Sequence, residues 1–288
     1  MLPVSRSARY AEFSRWIVPG TSFFIIVAFV ATALLSSSLA PHSPVEVSLP
    51  NRLRPPAWLP GGSNDYLFGT DLLGRDVLSR VVFGAQTSLV VAIQTLVLGA
   101  GIGGLVGIIA GFFRGWIDGL LMVVVDMMLS IPLVLLALVF VVVVGPSTGN
   151  VIIAMALVLW ARFARVVRGE VLGLRERDFV AMARVAGTSD VHIMWRHLLP
   201  NVANTLMVLI SLQVGWVIIV EASLSFLGAG VPPPTPAWGS MIAEGRNYIE
   251  SAWWLSVFPG IATMLTVLAF NLFGDWLRDE MDPKLNPL

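Results

Sequence analysis

Six apolar runs, at residues 17–40, 86–111, 118–144, 150–167, 202–224 and 254–276, leave this chain few folds. A hydrocarbon core of ~30 Å takes roughly 20 helical residues to cross, and backbone in lipid must satisfy its own hydrogen bonds, which helices do and open sheets do not. The expected fold class is therefore all-α, a polytopic integral membrane protein with six transmembrane helices. Composition agrees, since only 12% of the residues are charged and 56% are hydrophobic, against roughly 25% charged in soluble domains. Ser38-Leu39-Ala40 loosely imitates a signal-peptidase site. The run before it exceeds a secretory h-region, so it reads as a retained span.

Charge orients the spans. Placing residues 161–200 inside puts 13 of the 18 basic residues on the cytoplasmic face: three before the first span, Arg114, seven in this loop, Arg278 and Lys284. The positive-inside rule thus predicts a multi-pass protein of the cytoplasmic membrane with both termini in the cytoplasm. A net charge of zero gives no electrostatic case for nucleic acid. The absence of cysteine removes disulfides, thiolate metal sites and cysteine nucleophiles together. The only lysine is Lys284, so no glycine-rich phosphate loop has the lysine it needs, and any ATP-driven work must be powered by another chain.

Between the spans, Asp178 to Asn201 reads as helix, glycine turn, helix. Phe179, Met182, Ala183 and Ala186 share a helical face, Gly187 breaks it, and Val191, Ile193, Met194 and Trp195 resume an apolar pattern before Pro200 opens the next span. Residues 41–80 hold six prolines and form an external, partly ordered segment. Its end, Phe68 to Arg80, alternates acids and bases, with Asp71, Arg75 and Asp76 expected in a capped, ion-paired element that is either structural or in contact with an external protein. A second external segment, 229–252, is rich in proline and tryptophan, and Pro259-Gly260 is expected to kink the last span.

Within the spans, Gly99-x-Gly101-x-x-Gly104 matches a dinucleotide fingerprint but has no strand before it, and is read as part of an apolar helix. Gly103, Gly107 and Gly111 instead form a smooth stripe for close helix packing. Asp126 is costly at its depth unless it pairs with an arginine of a neighbouring helix or faces the path of a solute. Pro132 is expected to kink the third span. Glu221, near the outer end of the fifth, either meets a structural partner or lines a pore or gate. His192 and His197 are five apart and poorly set for one metal ion, with His42 expected across the membrane. A membrane-embedded hydrolase would need a nucleophile, base and acid converging inside a span, where no histidine is expected. A transporter driven by an ion gradient through Asp126 is the remaining competitor.

Residues 178–201 resemble the "EAA" loop of permease subunits in ATP-binding-cassette importers, with Ala181, Met182 and Ala183, then Gly187, then His197-Leu198-Leu199-Pro200 at the family spacing. Ala181 stands where that pattern has Glu, Met182 where it has Ala, and His197 where it has Ile. FGTDLLGRDVLSRVVFGAQTSL (68–89), EASLSFLGAGVPPPTPAWGSMIAEGR (221–246) and the tail NLFGDWLRDEMDPKL (271–285) are similar to the C-type permease of dipeptide, oligopeptide and nickel importers. The resemblance implies a type I importer permease fold, with residues 1–67 preceding a permease core at 68–288. It implies a B-type partner permease sharing the pore, two cytoplasmic ATPase domains that use ATP and magnesium, an external substrate-binding protein, and a peptide cargo, or nickel or another small solute. This chain itself would bind no cofactor or metal. ATPase coupling would fall to Phe179, Ala181, Met182, Ala183, Arg184, Gly187, Asp190, His197, Leu199 and Pro200, and the external motif to Gly69, Asp71, Gly74, Arg75 and Asp76.

Overall fold

The computed structural model describes residues 6–281, with side chains from Ile17 to Glu280. The N-terminal arginines as charged groups and Lys284 lie outside the described side chains, as do residues 1–5 and 282–288 altogether. The chain order is α1 (Arg6–Leu34), α2 (Ser36–Leu39), α3 (Val77–Phe113), α4 (Gly115–Ser130), α5 (Leu133–Val144), α6 (Thr148–Leu174), α7 (Asp178–Val185), α8 (Asp190–Ile193), α9 (Leu199–Phe226), α10 (Trp238–Gly245) and α11 (Trp254–Met281). Among the described residues the only β pairing is an isolated bridge between Thr70 and Asp76.

Five helical stretches are long and apolar enough to cross a membrane: Ile17–Leu34, Val77–Phe113, Thr148–Leu174, Asp190–Phe226 and Trp254–Glu280. The pair α4 and α5, bent by 89° at its break, passes the same length and hydropathy test only when the two helices are taken together, as one broken span or a re-entrant loop. The sequence predicts a kink there, and the structure has a break. Ile131, forced out of the helical region by the proline ring that follows, sits at φ −86°, ψ 130°. Pro132 at ψ 120° then caps α5 from outside the helix. Two consecutive extended residues cannot carry a helical ladder, so the direction of the chain changes.

Pro200 behaves in the opposite way. The sequence reading starts a new span there, yet helix continues from Asp190 to Phe226. A π-turn at Met194–Leu198 widens the helix just before the proline, and Asn201 Nδ2 donates to the His197 carbonyl at 2.6 Å. The wider turn accommodates the loss of the hydrogen bond that proline cannot make.

The chain forms two compact units. The first comprises residues 1–90 and 214–288, the second 91–213. In the first, α1 packs on α11 through Phe23 against Phe273 and Phe29 against Phe270, with ring centroids 5.9 and 6.0 Å apart. Trp238 of α10 completes that layer, 5.9 Å from Phe29, and its Nε1 donates to the Val81 carbonyl at 2.9 Å.

In the second unit α6 is the central post, with α4 and α5 packed on it and α3 pressed against it along the glycine stripe. A β-carbon on Gly107 would lie 2.7 Å from the Ala164 carbonyl oxygen and 2.7 Å from Val167 Cβ, and one on Gly111 would lie 2.8 Å from Val171 Cβ. The smooth stripe expected from the sequence is the surface that admits α6. Gly101, by contrast, has nothing within 4 Å of the same construction. Gly107→Leu is therefore expected to destabilise the protein by roughly 1–3 kcal/mol or more through overpacking, while Gly101→Leu is neutral. Thermal unfolding of the two variants in detergent checks the contrast.

Candidate functional site

The loop 178–201 is held against the ends of three spans. Asp178 lies in the first turn of α7 and Arg184 in the last, each complementing the helix dipole. The helix ends because Gly187 takes φ +76°, a left-handed conformation open to glycine. Its N–H donates to the Arg184 carbonyl and Thr188 N–H to that of Ala183, both at 3.0 Å. Ser189 then caps α8 by accepting from His192 N–H.

Val180 is fully buried in a cluster with Ile108 and Phe112 of α3, Val167 and Val171 of α6, Ile193, Leu198 and Val202. Phe179 and Ala183 pack against the same cluster. The Arg184 guanidinium lies over the Phe112 ring at 5.2 Å, Arg175 donates to the Phe112 carbonyl, and Arg114 pairs with Glu176 at 3.1 Å. The sequence reading places Phe179, Met182, Ala183 and Ala186 on one face, and the structure divides them. Phe179 and Ala183 turn inward with Val180, whereas Ala181, Met182, Val185 and Ala186 stay exposed, Met182 at 65% and Val185 at 91%. Helical spacing alone could not tell that the loop's core is centred on Val180.

Of the other loop positions, Asp190 and Pro200 are exposed, and Leu199 and His197 half-buried. The His197 ring lies 6.3 Å from those of Phe179 and His192. Among the described residues no three histidines or acids come together as metal ligands. Trp195 and Val191 remain more than half exposed.

Beyond the loop, Asp126 forms an ion pair with Arg165 of α6, the neighbouring-helix partner that one sequence reading names. Both side chains are more than half exposed. One turn further along α6, Arg168 grips Asp118 with Nε and Nη2 at 2.5 and 2.7 Å, a two-point contact that fixes the start of α4. Sequence reading missed this pair, for which only the acid in the first helical turn was a signal.

Glu221 is fully buried. Ser225 Oγ donates to its Oε1 at 2.7 Å, and Ser225 Oγ in turn accepts from Val231 N–H at 3.2 Å. Its structural partner is thus a serine of its own helix, and Oε2 has none among the described residues.

The motif around Gly69 to Asp76 is an ionic lattice. Asp71 accepts from Arg75 Nε at 2.6 Å and lies 3.2 Å from Arg80, while Glu244 joins both arginines at 3.1 and 3.4 Å. Asp76 caps α3 by accepting from Ser79 N–H at 2.9 Å and Ser79 Oγ at 2.6 Å. Gly74 has φ +74°, and a β-carbon there would collide with the Ser48 carbonyl. Gly69 is also tightly packed, its β-carbon position 2.5 Å from the Arg54 carbonyl oxygen and 3.0 Å from Pro56 N. The expected capped, ion-paired element is present, but Arg80 and Glu244 belong to it and were not foreseen. Because Asp71, Arg75 and Arg80 are almost wholly buried, the lattice is a fastening inside the first unit.

Residues 103–287 match the family described as binding-protein-dependent transport system inner membrane component. The chain is 42% identical over 266 residues to the di/tripeptide transport system permease protein DppC of Pseudomonas aeruginosa, covering 92% of this chain and 87% of that one. It is 44% identical over 285 residues to the dipeptide transport system permease protein DppC of Escherichia coli K12, covering 99% and 94%. To the protein of the same name from Haemophilus influenzae it is 37% identical over 276 residues, covering 96% and 93%.

Proposed function

This chain belongs to the family of binding-protein-dependent transport system inner membrane components, and from that membership we propose that it is a permease subunit importing di- and oligopeptides, driven by ATPase subunits at the loop 178–201. The cargo follows from relatives named for di/tripeptide and dipeptide transport. In this reading a second, B-type permease supplies the other half of the pore, and an external binding protein delivers the peptide. Two cytoplasmic ATPase domains hold the ATP and magnesium, this chain holding no cofactor. Both termini lie in the cytoplasm, and residues 68–288 form the permease core that 1–67 precedes.

The observation that carries the reading is the two-sidedness of α7. Its exposed side offers Met182 and Val185 to a partner, and its buried side seats Val180 in one cluster with residues of α3, α6 and α9. A push on α7 is therefore delivered to three spans together. ATP binding that closes the ATPases would bias these spans between inward and outward access, which is the differential contact that coupling requires.

A tagged chain purified from native membranes in mild detergent is expected to bring along a second permease, ATPase chains and a peptide-binding protein, identified by mass spectrometry. Val185→Asp is expected to keep the second permease and lose the ATPases, because it puts a charge on an apolar contact without disturbing the Val180 socket. Reproducible recovery of the folded chain alone overturns the reading.

A further inference from the structure

A cavity of about 190 Å³ lies between α3 and the stretch from α8 into α9, with Leu105 and Ile109 on one wall and Val191, Met194, Trp195 and Leu199 on the other. The π-turn builds the second wall. Leu199 N–H bonds to the Met194 carbonyl, five residues back, which brings these two side chains to one face and leaves Leu198 to the Val180 cluster. The two walls hold a single permanent charge: residues 81–113 and 191–220 contain no acid and no lysine, and Arg196 is their one arginine. Arg196 is exposed. Among the described residues its guanidinium makes no ion pair or hydrogen bond, and neither does the Trp195 indole N–H. α3 ends at Phe113, and at about 1.5 Å per residue Ile109 and Leu105 lie roughly 6 and 12 Å inside that end. The cavity therefore runs from the level of a lipid headgroup into hydrocarbon.

We propose that this cavity seats one acyl chain of an anionic phospholipid, whose phosphate is held at the mouth by Arg196 and the Trp195 N–H. Arg196 directly follows Trp195 of the wall, and a long basic side chain there reaches headgroup level while its stem stays on apolar surface. A basic side chain beside a gap between spans selects anionic lipid. Tryptophan suits the same boundary, with its ring among acyl chains and its N–H at the polar edge. The volume is below the ~300–1,000 Å³ of pockets that enclose a whole small ligand, so the cavity takes one chain and leaves the other in the bilayer. A soluble ATPase does not reach this depth, and neither wall offers Arg196 an anion. The seated chain lies against Met194 and Leu199, whose neighbours Ile193 and Leu198 belong to the Val180 cluster, so the lipid braces the socket under the coupling loop. The inference rests on the placement of loop 178–201 at the cytoplasmic membrane surface in the reading above, and not on the cargo.

The test places the protein, as purified from native membranes with its partners, in vesicles of equal parts phosphatidylethanolamine and phosphatidylglycerol, with tritium in the acyl chains of one lipid at a time. Photoreactive benzoylphenylalanine replaces Val191 or, as the control, Val97, an exposed residue of α3 about two turns before Leu105. After illumination, phosphatidylglycerol is expected to label position 191 about fivefold more than phosphatidylethanolamine, the preference that one basic residue confers near the membrane surface. At position 97 the two lipids are expected to label equally. Arg196→Gln is expected to bring the labels at 191 to parity, with the protein recovered in normal amount. Leu105→Trp, which fills the cavity from the opposite wall, is expected to lower the label from both lipids. Equal labelling at 191 in the parent protein, a preference that survives Arg196→Gln, label unchanged by Leu105→Trp, or cross-links to a partner protein in place of lipid overturns the proposal. No transport enters this readout, so its failure leaves the import reading standing, and that reading falls separately if the folded chain is recovered without partners.

Discussion

Gly187→Pro is expected to abolish binding-protein-stimulated ATP hydrolysis and peptide uptake while leaving the chain inserted in the membrane. Gly187 holds φ +76° and donates its N–H to the Arg184 carbonyl. Proline fixes φ near −65° and has no N–H, so the turn must be rebuilt at a cost of about 3 kcal/mol or more. The adjacent bond from Thr188 N–H to Ala183 goes with it, and α7 is no longer closed onto the Val180 socket. The spans themselves keep their apolar length, so insertion is unaffected. Gly187→Ala meets no neighbouring atom within 4 Å and pays only the left-handed backbone penalty of about 1–2 kcal/mol, so a partial loss is expected. Uptake and ATPase rates in proteoliposomes check both. Stimulated hydrolysis at the wild-type rate in Gly187→Pro removes α7 from the coupling mechanism.

Much of the helical layout was legible because apolar length and glycine spacing are local properties. The runs at 86–111 and 150–167 lie within α3 and α6, and Gly103, Gly107 and Gly111 are the surface on which these two helices meet. What sequence could not give are consequences of contacts made by distant residues. The Ile131-Pro132 pair allows either a kink or a break, and which occurs depends on how α4 and α5 each seat on α6. Met182 and Ala183 are neighbours of similar apolar character, and their opposite fates follow from the position of Phe112 and Val171 below the loop. Arg80 reads as one more charge at a helix start, and its partner Glu244 is 164 positions away. Pro200 looks like a boundary until the π-turn before it is seen.

Asp71→Ala is expected to be the most damaging single change in residues 41–80. Asp71 holds two guanidinium groups, Arg75 at 2.6 Å and Arg80 at 3.2 Å, where the three side chains are 6%, 8% and 3% exposed. Its Oδ1 also accepts from the backbone N–H groups of Leu73 and Arg75, which shapes the turn at Gly74. Removing the carboxylate leaves two buried cations facing Glu244 alone, and breaking a buried pair from one side costs about 3–5 kcal/mol. Glu244→Gln removes a carboxylate whose side chain is a third exposed but which faces the same two buried guanidinium groups, so it is expected to cost less than Asp71→Ala, about 1–3 kcal/mol. Asp71→Ala combined with Arg80→Met restores the balance of buried charge and is expected to recover part of the loss. The damage extends beyond the lattice, because Trp254 Nε1 donates to the Thr70 carbonyl at 3.1 Å and thereby ties this turn to the start of α11. Thermal unfolding and yield of the purified complex rank the three variants. Asp71→Ala as stable as wild type would mean that the two arginines find water, and that the lattice is not the fastening its burial implies.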